Sequence, residues 1–269
     1  MKTNHQFKQL KDKSFSVELT LTATEIKKEY QNVLTQLQES FEKKGFRKGK
    51  APLDVVEKNI SPQDVIEEIL NHLLPPAYKN IINEHQLKPV TEPTIKIKTE
   101  KLSLDSDWVL ELESCELPDV KIDPKFFSEI KLLNQDKKID QKTKTDQTIF
   151  LLLQNTQIEL PPVLLNNDVN RRLSDLVEQL QSAKLTLDQY LKNKKTTLPK
   201  YRQELEAQIK KDWALNLAIN QIAIDKKLQV DPKEAEALFT KNPELKNDPN
   251  LVYYLLTQQK VLDYLQSIL

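Results

Sequence analysis

Gly45-Phe46-Arg47-Lys48-Gly49-Lys50 is the stretch of this chain whose residue types and spacing imply work beyond folding. Its two glycines are the only two among 269 residues; average usage of about 7% would supply roughly 19. A sequence that avoids glycine nearly everywhere keeps it where the backbone needs a positive φ, which glycine reaches without steric cost. The spacing therefore predicts a tight, exposed loop with a fixed path that holds up one aromatic ring and two cations. Lys43, Lys44 and Lys50 add to the charge, so Glu42 to Lys50 carries five basic residues against one acid. Clustered cations with a ring between them suit contact with a phosphate backbone, where charges replace counterions and a ring stacks or wedges. The plainer alternative is a solvated turn between two helices, but such a turn needs neither the glycine pair nor an exposed Phe46.

The elements around the loop follow from periodicity. Phe15 to Leu21 alternates apolar and polar, the pattern of a half-buried strand. Thr24 is expected to cap a helix carrying Ile26, Tyr30, Val33, Leu34, Leu37 and Phe41 at three- and four-residue spacing, ending at the loop. Pro52 suits the first turn of a following helix. Ser61-Pro62-Gln63-Asp64 is a second start signal. That helix is expected to stop or kink at Pro75-Pro76, with a separate helix over Ala77 to Gln86. Ile95 to Lys98 and Trp108 to Glu113 read as a hairpin. With the first strand they predict a small antiparallel sheet with helices on one face.

After Asp119 the pattern changes. Phe126 to Leu133 reads as a further extended piece, and Asp136 to Gln147 as a linker or solvated helix start. Thr148 to Gln157 reads as helix. Beyond Val163 the chain is helical throughout: Leu164 to Gln181, Leu187 to Lys192 with Thr186 as cap, Leu198 to Leu228, then helices after Asp231-Pro232 and Asp248-Pro249. The class is α+β, a small sheet-and-helix region over residues 1–117 and a linker plus all-helical region over 118–269.

Gly45-Phe46-Arg47-Lys48-Gly49-Lys50-Ala51-Pro52 resembles, without gaps, the ribosome-docking signature of the trigger factor family of bacterial chaperones. The strand and amphipathic helix before it and the Leu117-Pro118-Asp119-Val120 exit after it are similar to that family's N-terminal domain. The helices after Leu160-Pro161-Pro162 resemble its C-terminal chaperone domain, shared in outline with the periplasmic chaperone SurA. The resemblance implies that Phe46, Arg47 and Lys48, held by Gly45 and Gly49 and flanked by Lys44 and Lys50, contact protein and rRNA of the large ribosomal subunit at the tunnel exit. It also implies that the helical region cradles nascent or unfolded polypeptides, and it leaves open a weak homodimer.

Most members of that family insert a prolyl-isomerase domain of the FKBP kind between the two regions. Between Pro118 and Pro161 there is no glycine, tryptophan or tyrosine, and the segment is far shorter than the ~100 residues of an ordinary domain. The expectation is a two-domain variant without its enzyme. Two other readings stay open: a ribosome-independent holdase of the SurA kind, and an RNA-binding protein using the basic loop alone.

Other chemistry is thin. Lys+Arg and Asp+Glu are 40 each, which argues against a polyanion-wrapping surface and for a local docking patch. His5, His72 and His85 are scattered without metal-ligand spacing, so no metal is expected. Two glycines build no Walker loop or dinucleotide fingerprint, and no cofactor is expected. The single Cys115 reads as a small apolar strand residue in a reducing compartment. The N-terminus has no signal-type apolar stretch, and no run approaches the roughly 20 apolar residues of a membrane span. A cytoplasmic protein is expected.

Overall fold

The computed structural model describes residues 4–268. The chain divides into two compact units, Met1–Leu117 and Pro118–Leu269. In the first, β1 (Asn4–Gln9), β2 (Ser14–Leu21), β3 (Thr94–Ile97) and β4 (Trp108–Cys115) form an antiparallel sheet in the order β1-β2-β4-β3. The alternation predicted for the first strand sets the register. Val17, Leu19 and Leu21 lie opposite Leu112, Leu110 and Trp108, and all six side chains are buried. On the other face Lys96 pairs with Glu113 at 2.7 Å and Lys98 with Glu111 at 3.1 Å. β1 is an edge strand with no match among the predicted elements. Its only large apolar residue is Phe7, and its pairing with β2, rather than its own pattern, makes it a strand.

The buried face of the sheet packs on α1 (Ala23–Ser40) and α3 (Pro62–Glu84), with the short α2 (Leu53–Glu57) between them. The cap of α1 is Thr22, not Thr24. The Thr22 N–H donates to the Glu25 carboxylate at 2.9 Å and the Glu25 N–H to Thr22 Oγ1 at 3.3 Å, a reciprocal capping box. α3 is continuous through Pro75 and Pro76, contrary to the expected break. Both prolines are exposed, so the carbonyls that lose an N–H partner can be solvated. Val65, Ile69 and Leu74 before them and Ala77 and Ile81 after them fill one core, and burial of that face outweighs the lost hydrogen bonds. Glu29 on α1 accepts from His72 of α3 at 2.8 Å. That bond holds the Glu29 carboxyl below the usual carboxylate range.

The second unit opens with β5 (Val120–Ile122), which pairs antiparallel with β6 (Thr156–Ile158). α4 (Lys125–Gln135) occupies the segment expected to be extended. Phe126 and Ile130 are four apart with Leu133 three further on, a helical stripe whose first two members are buried. α5 (Gln141–Gln154) starts within the expected linker, capped by Asp140, whose carboxylate accepts the Thr143 N–H at 3.0 Å. α6 (Pro162–Ser182), α7 (Leu187–Asn193), α8 (Leu198–Asp225), α9 (Pro232–Lys241) and α10 (Pro249–Ser267) follow, with a 3₁₀ turn at Pro243–Asn247. The core joins α4, α5, α8 and α10 through Phe126, Leu152, Ile219, Ile222, Val261 and Leu265. α6 is tied to α8 by Arg172 to Asp212 at 2.6 Å and by the Trp213 indole N–H donating to Asp168 at 2.7 Å.

Four helices end in the same way. After α3, α6, α7 and α8 the chain turns through Gln86, Lys184, Lys195 and Lys227 at φ of 53–56°. The next residue's N–H reaches back to Ile82, Leu180, Leu191 and Ala223 respectively. This is the Schellman cap, where glycine is the usual residue. Left-handed backbone costs an L-residue roughly 1–2 kcal/mol, partly offset by glycine's larger unfolded-state entropy. Lys184→Gly and Lys227→Gly are each expected to raise stability by about 0.5–1 kcal/mol in chemical denaturation. Avoidance of glycine in this chain is thus strong enough to override a cap where glycine is favoured.

Candidate functional site

α1 ends at Phe41, whose extended backbone (φ −68°, ψ 129°) leads the chain out of the helix. Two successive turns follow. The Phe46 N–H donates to the Lys43 carbonyl at 3.0 Å and the Lys50 N–H to the Arg47 carbonyl at 2.9 Å. Gly45 and Gly49 occupy the third position of each turn, at φ 101° and 73°, the position where type II turns require positive φ. The four-residue spacing of the glycines is the repeat of these turns.

The base of the loop is closed by three contacts. The Gly49 N–H donates to the Phe41 carbonyl at 3.2 Å, Gln38 Nε2 donates to the Ala51 carbonyl at 2.6 Å, and the Ala51 side chain is buried. Lys43 Nζ donates to Asn59 Oδ1 at 2.9 Å, which ties the ascending arm to the region after α2.

Glycine is required here for reasons that do not hold at the helix ends. The left-handed lysines and glutamine sit within the small pocket open to L-residues, whereas Gly45 at 101° lies beyond it. At Gly49 an added Cβ would come within 3.0 Å of the Glu39 carbonyl oxygen, a backbone atom that cannot swing aside. Gly45→Ala and Gly49→Ala are therefore each expected to strain or redirect the loop, at about 1–3 kcal/mol. The Gly49 change carries the added clash. The outcome is measurable as lowered stability or as altered amide shifts confined to residues 38–52.

The loop presents Phe46, Arg47 and Lys48 to solvent, with Phe46 41% exposed. Among the described residues, the side chains of Lys44, Arg47 and Lys50 have no hydrogen-bond or ion-pair partner. Lys48 meets Glu42 at 2.9 Å, with both groups more than half exposed, a pairing worth little in water. A rigid base thus carries an apolar ring and available cations, and the arrangement can bind a surface that offers phosphates and an apolar notch. Cys115 is buried at the end of β4, and burial pushes its thiol up to about 11.

The model for "Bacterial trigger factor protein (TF)" matches residues 3–149, and that for the same protein's C-terminus matches residues 128–269. The chain belongs to the bacterial trigger factor family. The two matches overlap, so no residue between them is left for an inserted isomerase domain. The trigger factor of Streptococcus pneumoniae (strain Hungary19A-6) is 31% identical over 103 residues, 38% of this chain and 24% of that protein. The trigger factor of Ligilactobacillus salivarius (strain UCC118) is 33% identical over 97 residues, 36% of this chain and 22% of that protein. These matches span about a quarter of each relative's length. A solved structure of the trigger factor chaperone, described for promiscuous substrate recognition in folding and assembly, superposes with a TM-score of 0.59. The superposition covers 97% of this chain and 99% of that one at 14% identity, a likeness of fold.

Exposed apolar surface is present in both units. In the second, Leu132, Phe150, Ile224 and Leu255 are each at least half exposed. In the first, Pro75, Tyr78, Val90, Pro93 and Ile95 line a groove beside the edge strand β3. Sequence reading did not single out this groove, whose residues come from α3, from the connection between α3 and β3, and from β3 and β4.

Proposed function

We propose that this chain is an ATP-independent chaperone that docks at the exit of the ribosomal tunnel and shelters emerging polypeptides in the cytoplasm. Phe46, Arg47 and Lys48 make the contact with protein and rRNA of the large subunit. Gly45 and Gly49 hold them in place, while Lys44 and Lys50 add charge. The second unit supplies the apolar surface for clients, which leave as they bury their own side chains, so no nucleotide is needed. The chain acts without isomerase catalysis. The observation that carries this reading is the glycine-fixed loop with an exposed ring and available cations, in a member of the trigger factor family. No described helix is long and apolar enough to cross a membrane.

The test is co-sedimentation with purified ribosomes at increasing salt. With about two to four phosphate contacts, log affinity is expected to fall against log salt with a slope of roughly −1.5 to −3.5. Absence of binding at low salt would support a free holdase. A much steeper slope, with equal affinity for protein-free rRNA, would support an RNA binder. Either result ends the docking proposal.

A further inference from the structure

We propose that the first unit binds a divalent transition-metal cation of the zinc class between His5, His85 and Glu84. The two histidines are 80 positions apart in sequence, and their Nε2 atoms meet at 3.0 Å. Nothing in their spacing suggests a site; the fold makes one by laying β1 beside the end of α3. Ligand-capable atoms of His5, Glu84 and His85 all lie within 4.8 Å of one another.

Two imidazole nitrogens at this distance are joined either by an N–H of one ring donating to the lone pair of the other or, with both nitrogens unprotonated, by a cation that both lone pairs hold. The geometry admits the cation with little movement. Zinc–nitrogen bonds of about 2.0–2.1 Å in a tetrahedron place ligand atoms roughly 3.3 Å apart. The histidine pair is already close to that separation. Glu84 is exposed, and rotation of its side chain can bring a carboxylate oxygen in. Imidazole and carboxylate donors together favour zinc, nickel or copper over calcium or magnesium.

The site is also held in place. Phe7 stacks on the His85 ring with centroids 4.1 Å apart and planes within 20°, which fixes the ring's orientation. His5 meets His85 edge-on, at 86° between planes. His85 is the C-cap of α3, and the partial negative charge at a helix C-terminus favours a cation. The bound ion would pin the edge strand β1 to the end of α3.

The test is calorimetric titration of the metal-stripped full chain with Zn²⁺, with Co²⁺ absorption as a geometric readout. Binding of one ion per chain and a Tm that rises with Zn²⁺ are expected. His5→Gln, which leaves the Phe7–His85 stack in place, is expected to weaken binding by at least about tenfold, since even residues behind the ligands are worth that much. Glu84→Gln is expected to weaken it too, and His72→Gln to leave it unchanged. Retention of wild-type affinity in His5→Gln, or no saturable binding by the wild type, overturns the proposal and leaves the pair as a direct histidine–histidine hydrogen bond. Loss of binding in His72→Gln alone also overturns it.

Discussion

Replacing Phe46, Arg47 and Lys48 together by alanine is expected to remove ribosome binding while leaving the fold intact. The stability side follows from exposure. All three side chains face solvent, and the one ion pair among them, Lys48 to Glu42, is exposed at both ends. Loop substitutions of this kind cost under about 0.5 kcal/mol. The turns are made by backbone groups and the two glycines, so alanine leaves them in place. On the binding side, a ring and a guanidinium at the centre of a small interface are typical of residues worth at least ~1–2 kcal/mol each. Loss of three such side chains corresponds to at least about a hundredfold in affinity. Sedimentation with ribosomes measures the effect, and a thermal melt of the same variant checks the fold. If the variant sediments as the wild type does, docking lies elsewhere on the molecule. Phe46→Ala and Arg47→Ala as single changes divide the effect between ring and charge. Only the second is expected to flatten the salt dependence.

The elements of this fold that were legible in the sequence are those whose cause is local. Thr186, Asp231 and Asp248 cap helices where the sequence placed them, because a cap is a side chain acting on a backbone group two or three residues away. The buried alternation of β2 and β4 was equally plain. Elements with distant causes were not. β1 is a strand because β2 lies beside it. α3 survives two prolines because its apolar face is needed on both sides of them. The stripe in α4 was present in the sequence, but consecutive phenylalanines at Phe126-Phe127 imitate a buried strand. The loop stood out because glycine is so rare in this chain. Its rarity proved physical when the helix ends turned out to tolerate lysine in the left-handed region while Gly45 and Gly49 could not. The meeting of His5 and His85 has no sequence signal at all, since eighty intervening residues must fold first.

Separated at Leu117–Pro118, the two halves of the chain are expected to divide the work. Residues 1–117 should bind ribosomes with nearly the affinity of the whole chain, and residues 118–269 should suppress aggregation of an unfolded client. The division is physically feasible because each half has its own core. One is built from residues between Phe15 and Leu112, the other from residues between Phe126 and Leu265. A break there cuts no strand, since β4 ends at Cys115 and β5 begins at Val120. Glu116 keeps its bonds to Lys13 and Lys88 within the first half. Docking rewards a preorganised tip, which loses little entropy on contact, and the glycine turns and the Gln38–Ala51 bond supply that rigidity without the second half. Client binding needs broad apolar surface of modest affinity per contact, and Leu132, Phe150, Ile224 and Leu255 offer it on the helices of the second half. The competing site is the groove beside β3, where Ile95 and Ile97 are each about half exposed along an unpaired strand edge. Such an edge can accept an extended peptide by strand addition. Light scattering of a refolding client decides between them. Protection by residues 118–269 at the level of the whole chain assigns the clients to the helices. Equal protection by residues 1–117, lost in Ile95→Lys, would move them to the sheet edge and leave the second half another role.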